Sequence, residues 1–263
     1  MPAHRLPSDR FLAARRLFLA TAVVCCLPLE GRATEAVRVF AAGAAQGAVL
    51  RLGPAIEAAS QTKLDAVFDT VGALRDRVLR GDAADVVILS EAGLAALEKA
   101  GRIAGPAIDV GSISVALAVR KGARVPDVAS PDALKQALLS AGSIAHADPA
   151  RGATAGAHFA RVLEQLGIAG EVGGRVTVLP FGGDVIEEVA RGRFEIGVSQ
   201  SSEIMAHPGV TLVGRLPAPY DRRTRYLAAK LAGAGARADA VLAVLQTPAA
   251  RSVFAEFGFE AGR

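Results

Sequence analysis

The chain has 263 residues, of which 51% are hydrophobic and 21% are charged. This length is enough for one large core or two modest ones, and the ordinary charged fraction excludes a disordered chain. Lys and Arg outnumber Asp and Glu by 30 to 26. Five arginines and only two acids fall in residues 1–33, so the rest of the chain carries a net charge of only +1. Because that part has no basic run and no aromatic-interleaved basic patch, nucleic acid is not an expected partner.

Residues 1–33 have the order of a secretory signal peptide. A basic start precedes a short apolar run, and Gly31 and Ala33 provide the small residues that precede a cleavage site. The apolar run is too short to predict a membrane span. The segment RRLFLA, which begins at Arg15, resembles the twin-arginine export motif without its usual lysine, and the Sec route stays equally open. We therefore predict export to the periplasm with removal of residues 1–33.

Both cysteines, Cys25 and Cys26, lie inside this segment. The remaining chain therefore has no disulfide framework, no thiolate metal site and no cysteine nucleophile. Its histidines, His146, His158 and His207, are widely spaced, so we expect no metal centre. It also lacks a glycine-rich nucleotide fingerprint and a GxSxG elbow. We expect no cofactor.

Strand and helix patterns alternate from residue 37 onward. VRVFAA (37–42), KLDAVFD (63–69) and ADVVILS (84–90) read as strands, and the last contains a short continuous apolar run, as in a strand buried on both faces. The helices between them include one that Gly81 ends and one in which Pro54 marks a kink or a new first turn. This alternation predicts an α/β fold with parallel strands.

The pattern changes at GSISVALAVRKGA (111–123), a long apolar run without helical period. Ser130 and Pro131 then begin a helix, as cap and first helical residue. Strand and helix patterns alternate again to about residue 215. We therefore predict two lobes, with residues 34–115 and 218–263 in lobe 1 and residues 116–217 in lobe 2.

The stretch ADPARGATAG (147–156) directly precedes an amphipathic helix. The first turn of a helix has free N–H groups and positive dipole character, and small residues let an anion approach them. Arg151 and Thr154 would then hold an anion together with the backbone. The alternative is that Thr154 only caps the helix and Arg151 is solvated.

Five segments, read together, resemble one family. They are VFAAGAAQGAV, FDTVGALRDRVLRGDAADVVILS, ADPARGATAGAHFARVLEQLG, GDVIEEVARGRFEIGVSQSSEI and TPAARSVFAEFGF. In this order they resemble the periplasmic molybdate-binding proteins of bacterial ABC importers and the wider group of related solute-binding proteins. The resemblance implies a type II periplasmic binding protein fold, in which two hinge-linked α/β lobes with mixed sheets and flanking helices close on a small anion. It also implies a monomer that serves a membrane permease.

The resemblance also implies ligand positions. The family's ligating residues fall on Gly43 or Ala44, on Thr70 or Gly72, and on Ala155, Val185 and Gln200. Hydroxyl side chains of the family are absent at Ala44, Gly72 and Gln200, while Arg151 is gained. Because arginine matches a carboxylate with its planar fork, we expect a small organic acid with more than one carboxylate in preference to molybdate. Tungstate or another oxyanion stays open through backbone donors.

Two functions follow from this interpretation. The first is a binding protein whose side chains Arg151, Thr70, Thr154, Ser199, Gln200 and Ser201 orient an anion. The second is an enzyme, since aconitate isomerase activity is found on a similar chain and needs only a 1,3-proton shift. Asp69, His158 and Asp184 are the nearest candidate bases for that reaction. We expect binding in preference to catalysis, because a shared fold is a weak argument for chemistry.

Overall fold

The computed structural model describes residues 36–261, so the predicted signal peptide lies outside the described part. Strands and helices alternate along this range. The strands are β1 Val37–Ala42, β2 Leu64–Asp69, β3 Val86–Ser90, β4 Ile103–Arg120, β5 Ile144–Ala147, β6 Val176–Leu179, β7 Ile196–Gln200, β8 Val210–Arg215 and β9 Arg223–Leu231. The helices are α1 Gln46–Ser60, α2 Val71–Arg80, α3 Glu91–Lys99, α4 Pro131–Ser140, α5 Thr154–Gln165, α6 Ala169–Val172, α7 Gly182–Ala190, α8 Ser201–Met205, α9 Ala236–Leu245 and α10 Pro248–Glu256. No helix between residues 36 and 261 is long and apolar enough to cross a membrane.

The strands form two mixed sheets that meet at β4. In the first sheet β1 pairs in parallel with β2 and β3, while β9 runs antiparallel between β3 and β4. In the second, β5 pairs in parallel with β6 and β7, and β4 pairs antiparallel with β7 and β8. The order along the sheets is β2-β1-β3-β9-β4-β7-β5-β6. This confirms the predicted α/β fold with mixed sheets and flanking helices.

Hydrophobic clusters lie on either side of the shared strand. One cluster draws its buried residues from 37–113 and 226–259, and two further clusters draw theirs from 115–216. We refer to these halves as lobe 1 and lobe 2. Phe40 in lobe 1 and Phe159 in lobe 2 are fully buried. Burial of side chains of this size stabilises the fold by about 1.5–3 kcal/mol each, so each lobe has a core of its own.

Local sequence signals explain several helix ends. Ser130 accepts a hydrogen bond from the Ala133 N–H at 3.1 Å, with Pro131 in the first turn, as predicted. Gly81 ends α2 in the left-handed conformation with φ of 97°. Pro54 neither breaks α1 nor begins a new helix, because α1 continues through it from Gln46 to Ser60.

Candidate ligand-binding cleft

Helix N-termini from both lobes meet in a cleft between the lobes. The turns after β1 and β2 come from lobe 1, and the N-terminal turns of α5, α7 and α8 come from lobe 2. Free N–H groups and helix dipoles favour a negative charge at such a point. The residues around the cavity there are Ala42, Gly43, Ala44, Asp69, Thr70, Val71, Ala147, Ala153, Thr154, Ala155, Phe181, Gly182, Ser199, Gln200, Glu203 and Tyr226.

The cavity has a volume of about 30 Å³. This is room for one or two water molecules and far below the roughly 300–1,000 Å³ of ordinary ligand pockets. The lining includes two acids and no lysine or arginine. An anion would therefore be held by neutral donors, and the lobes must separate before a ligand of several carbon atoms can enter.

Hydrogen bonds to backbone carbonyl groups of lobe 2 join the two lobes at one edge of the cleft. The Gly72 N–H donates to Gly152 O at 3.3 Å, and the Thr70 hydroxyl donates to Arg151 O at 2.5 Å. A Cβ atom on Gly72 would lie only 2.6 Å from Arg151 O. Gly72 is therefore a glycine because backbone from lobe 2 packs on it. The sequence interpretation, which treated this position as a lost hydroxyl, missed that contact.

Arg151 lies at the rim of the cleft and does not line the cavity. Its Nη2 lies 3.2 Å from both carboxylate oxygens of Asp69, across the interface between the lobes. The Arg151 side chain is 45% exposed and that of Asp69 is 23% exposed. The guanidinium that the sequence assigns to the ligand is thus paired with a protein carboxylate in this structure. Its contact with a ligand stays a prediction.

A buried network of polar side chains forms one wall of the cavity. The Gln200 amide donates to the Thr154 hydroxyl at 2.9 Å and to the Tyr226 hydroxyl at 3.4 Å. The Thr154 and Tyr226 oxygens are 3.2 Å apart. Burial raises the pKa of Tyr226, so its phenol stays protonated. Thr154 does not cap α5 through its side chain, because Ala153 is the cap residue and the hydroxyl belongs to this network.

Tyr226 was not predicted from the sequence. It lies on β9, after the chain has returned to lobe 1, and only 1% of it is exposed. It places a phenol next to Gln200, a position at which the family resemblance implies a hydroxyl side chain. A hydroxyl is therefore present in this wall, but it comes from another strand.

Glu203 is the second residue that sequence reasoning missed. Its Oε2 accepts hydrogen bonds from the Ser199 hydroxyl and, at 3.3 Å, from the Gln200 N–H. The carboxyl group lies between Gly43 of lobe 1 and Gly182 of lobe 2, where a Cβ on either glycine would come within 2.5 Å of it. Burial raises the pKa of Glu203, although the hydrogen bond from Ser199 acts in the opposite direction. The spacing of Gln200 and Glu203, as cap and third helical residue of α8, is the sequence signal that could have indicated it.

The remaining predicted residues divide into two groups. Gly43, Ala44, Asp69, Thr70, Ala155 and Ser199 line the cavity. Gly72, His158, Asp184, Val185 and Ser201 do not. The Asp69 carboxylate also accepts a hydrogen bond from the Thr70 N–H at 2.7 Å, in addition to its pair with Arg151. Asp69 is therefore held by a guanidinium group and a backbone N–H.

The residues outside the cavity have partners that explain their positions. The Val185 N–H, predicted as a ligand donor, instead donates to Phe181 O at 3.3 Å. His158 contacts the Tyr220 carbonyl through Nε2 at 2.6 Å. Asp184 lies in the first turn of α7, where desolvation and the neighbouring Glu188 carboxylate raise its pKa. Ser201 is buried with its hydroxyl unpaired among the described residues. Within residues 36–261 no three His, Cys, Asp or Glu side chains are grouped to hold a metal ion.

Residues 37–260 match the family of bacterial extracellular solute-binding proteins. The chain belongs to this family. The match confirms the resemblance found in the sequence, and an extracellular family implies an exported protein. A curated relative, an aconitate isomerase of a Pseudomonas species, is 32% identical over 229 residues, which are 84% of this chain and 83% of the relative.

Solved structures of solute-binding proteins share the fold. The periplasmic molybdate-binding protein of Azotobacter vinelandii has a TM-score of 0.74 at 17% identity, covering 86% of this chain and all of that one. The sulfate-binding protein SubI of Mycobacterium tuberculosis has a TM-score of 0.67 at 21% identity, covering 86% of each chain. A periplasmic thiamin-binding protein has a TM-score of 0.65 at 16% identity, covering 86% of this chain and 82% of that one. These identities show the fold and leave the ligand of this family member open.

Proposed function

We propose that this solute-binding protein captures a small organic polycarboxylate in the periplasm and presents it to an ABC permease. The observation that carries the proposal is the convergence of helix N-termini from both lobes on a cavity whose wall includes the Glu203 carboxyl group. The helix dipoles favour an anion there. We also propose that the boundaries between the lobes lie near residues 115/116 and 217/218, as the sequence predicts. The lobes would separate by hinge motion at these boundaries to admit the ligand.

Glu203 favours an organic acid over a fully ionised oxyanion. Two acidic groups in contact cannot both be ionised, so an anion next to this carboxyl group must share a proton with it. A carboxylate ligand has a proton affinity similar to that of glutamate and can share one readily. The 32% identical relative is named for its action on such a compound.

The test is calorimetric titration of the exported protein with citrate, tricarballylate, cis-aconitate, molybdate and sulfate. We expect the polycarboxylates to bind more tightly than molybdate and sulfate. Tight binding of molybdate without a response to any carboxylate would contradict the proposed ligand class. Stoichiometric binding without chemical change in the ligand is expected of a carrier.

A second candidate function is isomerisation of an unsaturated tricarboxylic acid. The curated relative favours it, and so does a carboxyl group in the cavity wall with a raised pKa, because a stronger base removes a carbon-bound proton more readily. The ionised form of Glu203, which forms only as the pH rises through its raised pKa, would take the proton from the CH₂ carbon and return it two carbons away as the double bond shifts. The proton count of the substrate is unchanged and no electron acceptor is needed.

Proton NMR of cis-aconitate incubated with the protein separates the two functions. Formation of the trans isomer would support the enzyme, and its absence would support the carrier. If the isomer forms, Glu203→Gln is expected to abolish turnover while binding persists. Full turnover in this variant would exclude Glu203 as the base.

A further inference from the structure

A second cavity adjoins the cleft on the side of β4 and β9. It has a volume of about 250 Å³ and shares Thr154 with the small cavity. Its walls come from the start of α3, from α5 and from the beginning of β9. Thr154, Ala157, His158 and Arg161 face it from α5, with the spacing that places residues on one side of a helix.

The cavity is rich in arginine, but two of its four arginines are already neutralised. Arg225 pairs with Glu91 at 3.0 Å and with Asp109 at 2.9 Å, and Arg223 pairs with Glu260. Arg161 and Arg222 are exposed, and neither forms an ion pair or side-chain hydrogen bond with any residue between 36 and 261. These two guanidinium groups are therefore available to an anion.

A second neighbour of the small cavity offers no free guanidinium group among the described residues. This groove of about 730 Å³ adjoins the small cavity at Gly43, Phe181 and Glu203. Its acids are Glu187, which pairs with Arg191 at 2.8 Å, and the partly buried Glu203, and it has no unpaired arginine among the described residues. Its one arginine, Arg51, is 3.7 Å from Glu256. A negatively charged group that extends beyond the small cavity is therefore favoured on the side of Arg161 and Arg222.

The size of the small cavity requires such an extension. About 30 Å³ cannot hold a molecule with three carboxylates, whereas the adjoining cavity adds about 250 Å³. We propose that Arg161 and Arg222 form a carboxylate-binding subsite, which holds one carboxylate of a ligand whose remainder lies at the helix N-termini. The subsite rests on the proposed function, and it determines the number of carboxylates that the protein selects. Planar guanidinium groups match a carboxylate with two parallel hydrogen bonds.

The experiment compares the parent protein with Arg161→Gln, Arg222→Gln and the double variant. Tricarballylate, glutarate and acetate serve as ligands with three, two and one carboxylates in calorimetric titrations. Arg80→Gln removes one positive charge from the exposed end of α2, away from both cavities, and is the matched control.

We expect the double variant to bind tricarballylate about 10- to 100-fold more weakly, in line with the loss of charge-assisted hydrogen bonds. Acetate binding should change less than twofold, and the salt dependence of tricarballylate binding should become weaker. Arg161→Lys should recover part of the affinity lost in Arg161→Gln.

Two results would overturn the subsite. One is that the double variant binds tricarballylate with the affinity of the parent. The other is that the affinity for all three ligands falls by the same factor, which would indicate an effect on closure of the lobes. If the parent protein itself binds no carboxylate, the proposed function fails, and the subsite fails with it. The measurement on the parent therefore distinguishes the two failures.

Discussion

Replacement of Gly72 by alanine is expected to raise the stability of the protein and lower its affinity for ligand. The new Cβ would lie 2.6 Å from Arg151 O and 2.7 Å from Gly152 Cα, well inside the 3.4 Å at which ordinary contact begins. Both contacts cross from lobe 1 to lobe 2 and consist of backbone, so neither can move like a flexible side chain. The lobes would therefore stop short of the closed arrangement.

The size of the effect follows from the contacts that would be lost. Incomplete closure removes the hydrogen bonds from the Gly72 N–H to Gly152 O and from the Thr70 hydroxyl to Arg151 O. At about 0.5–1.5 kcal/mol each, their loss lowers affinity about 5- to 150-fold. In the open form alanine only improves helix α2, by up to about 1 kcal/mol.

Calorimetry with tricarballylate measures the affinity, and thermal denaturation without ligand measures the stability. Gly170→Ala is the matched control, because Gly170 is also helical and a Cβ there would meet no atom within 4 Å. Parental affinity in Gly72→Ala would refute the reasoning. Reduced stability would refute it as well, because the clash would then act on folding and not on closure.

Three further predictions concern the cleft. Because the ion pair between Arg151 and Asp69 is partly exposed, Arg151→Ala should weaken ligand binding by about fivefold or less. A loss of about 10- to 150-fold that persists in an Asp69→Asn background would instead support direct contact between Arg151 and the ligand. Burial raises the pKa of Glu203, so this carboxyl group stays protonated in the folded state at a pH at which it is ionised in the unfolded state. The free energy of unfolding therefore falls as the pH rises from the ordinary glutamate pKa to the raised one. Glu203→Gln should therefore gain more stability relative to the parent at about pH 7 than at about pH 4, and equal differences in denaturant unfolding would contradict this. Tyr226→Phe should cost about 0.5–1.5 kcal/mol in the free energy of unfolding, because the phenol contacts both Thr154 and Gln200; Tyr220→Phe, at a partly exposed position, serves as control.

Local sequence patterns were enough to predict most of the fold. Ser130 caps the helix that begins at Pro131, and the apolar run VVILS forms a buried strand, both as local patterns indicate. Resemblance to a family added the turns that line the cleft, including Thr70 and Gln200. These features depend on neighbours in the chain or on a pattern shared by related chains.

Contacts between distant parts of the chain could not be predicted in this way. Asp69 and Arg151 are 82 residues apart, and nothing near either residue indicates that they pair. Tyr226 reaches Gln200 only because β9 returns between β3 and β4. The sequence analysis interpreted Gly72 as the loss of a hydroxyl side chain. A pattern within one chain segment does not indicate that the backbone of a distant segment packs against this glycine.

Strand β4 belongs to both sheets, and this has a consequence for the rate at which ligand exchanges. The strand pairs with β9 on the side of lobe 1 and with β7 and β8 in lobe 2 without interruption of the chain. Opening therefore bends a hydrogen-bonded ladder and does not require any element to unfold. We expect ligand entry and release to be timed by elastic bending in microseconds to milliseconds, as in other hinge motions, and not by the slower events of local unfolding.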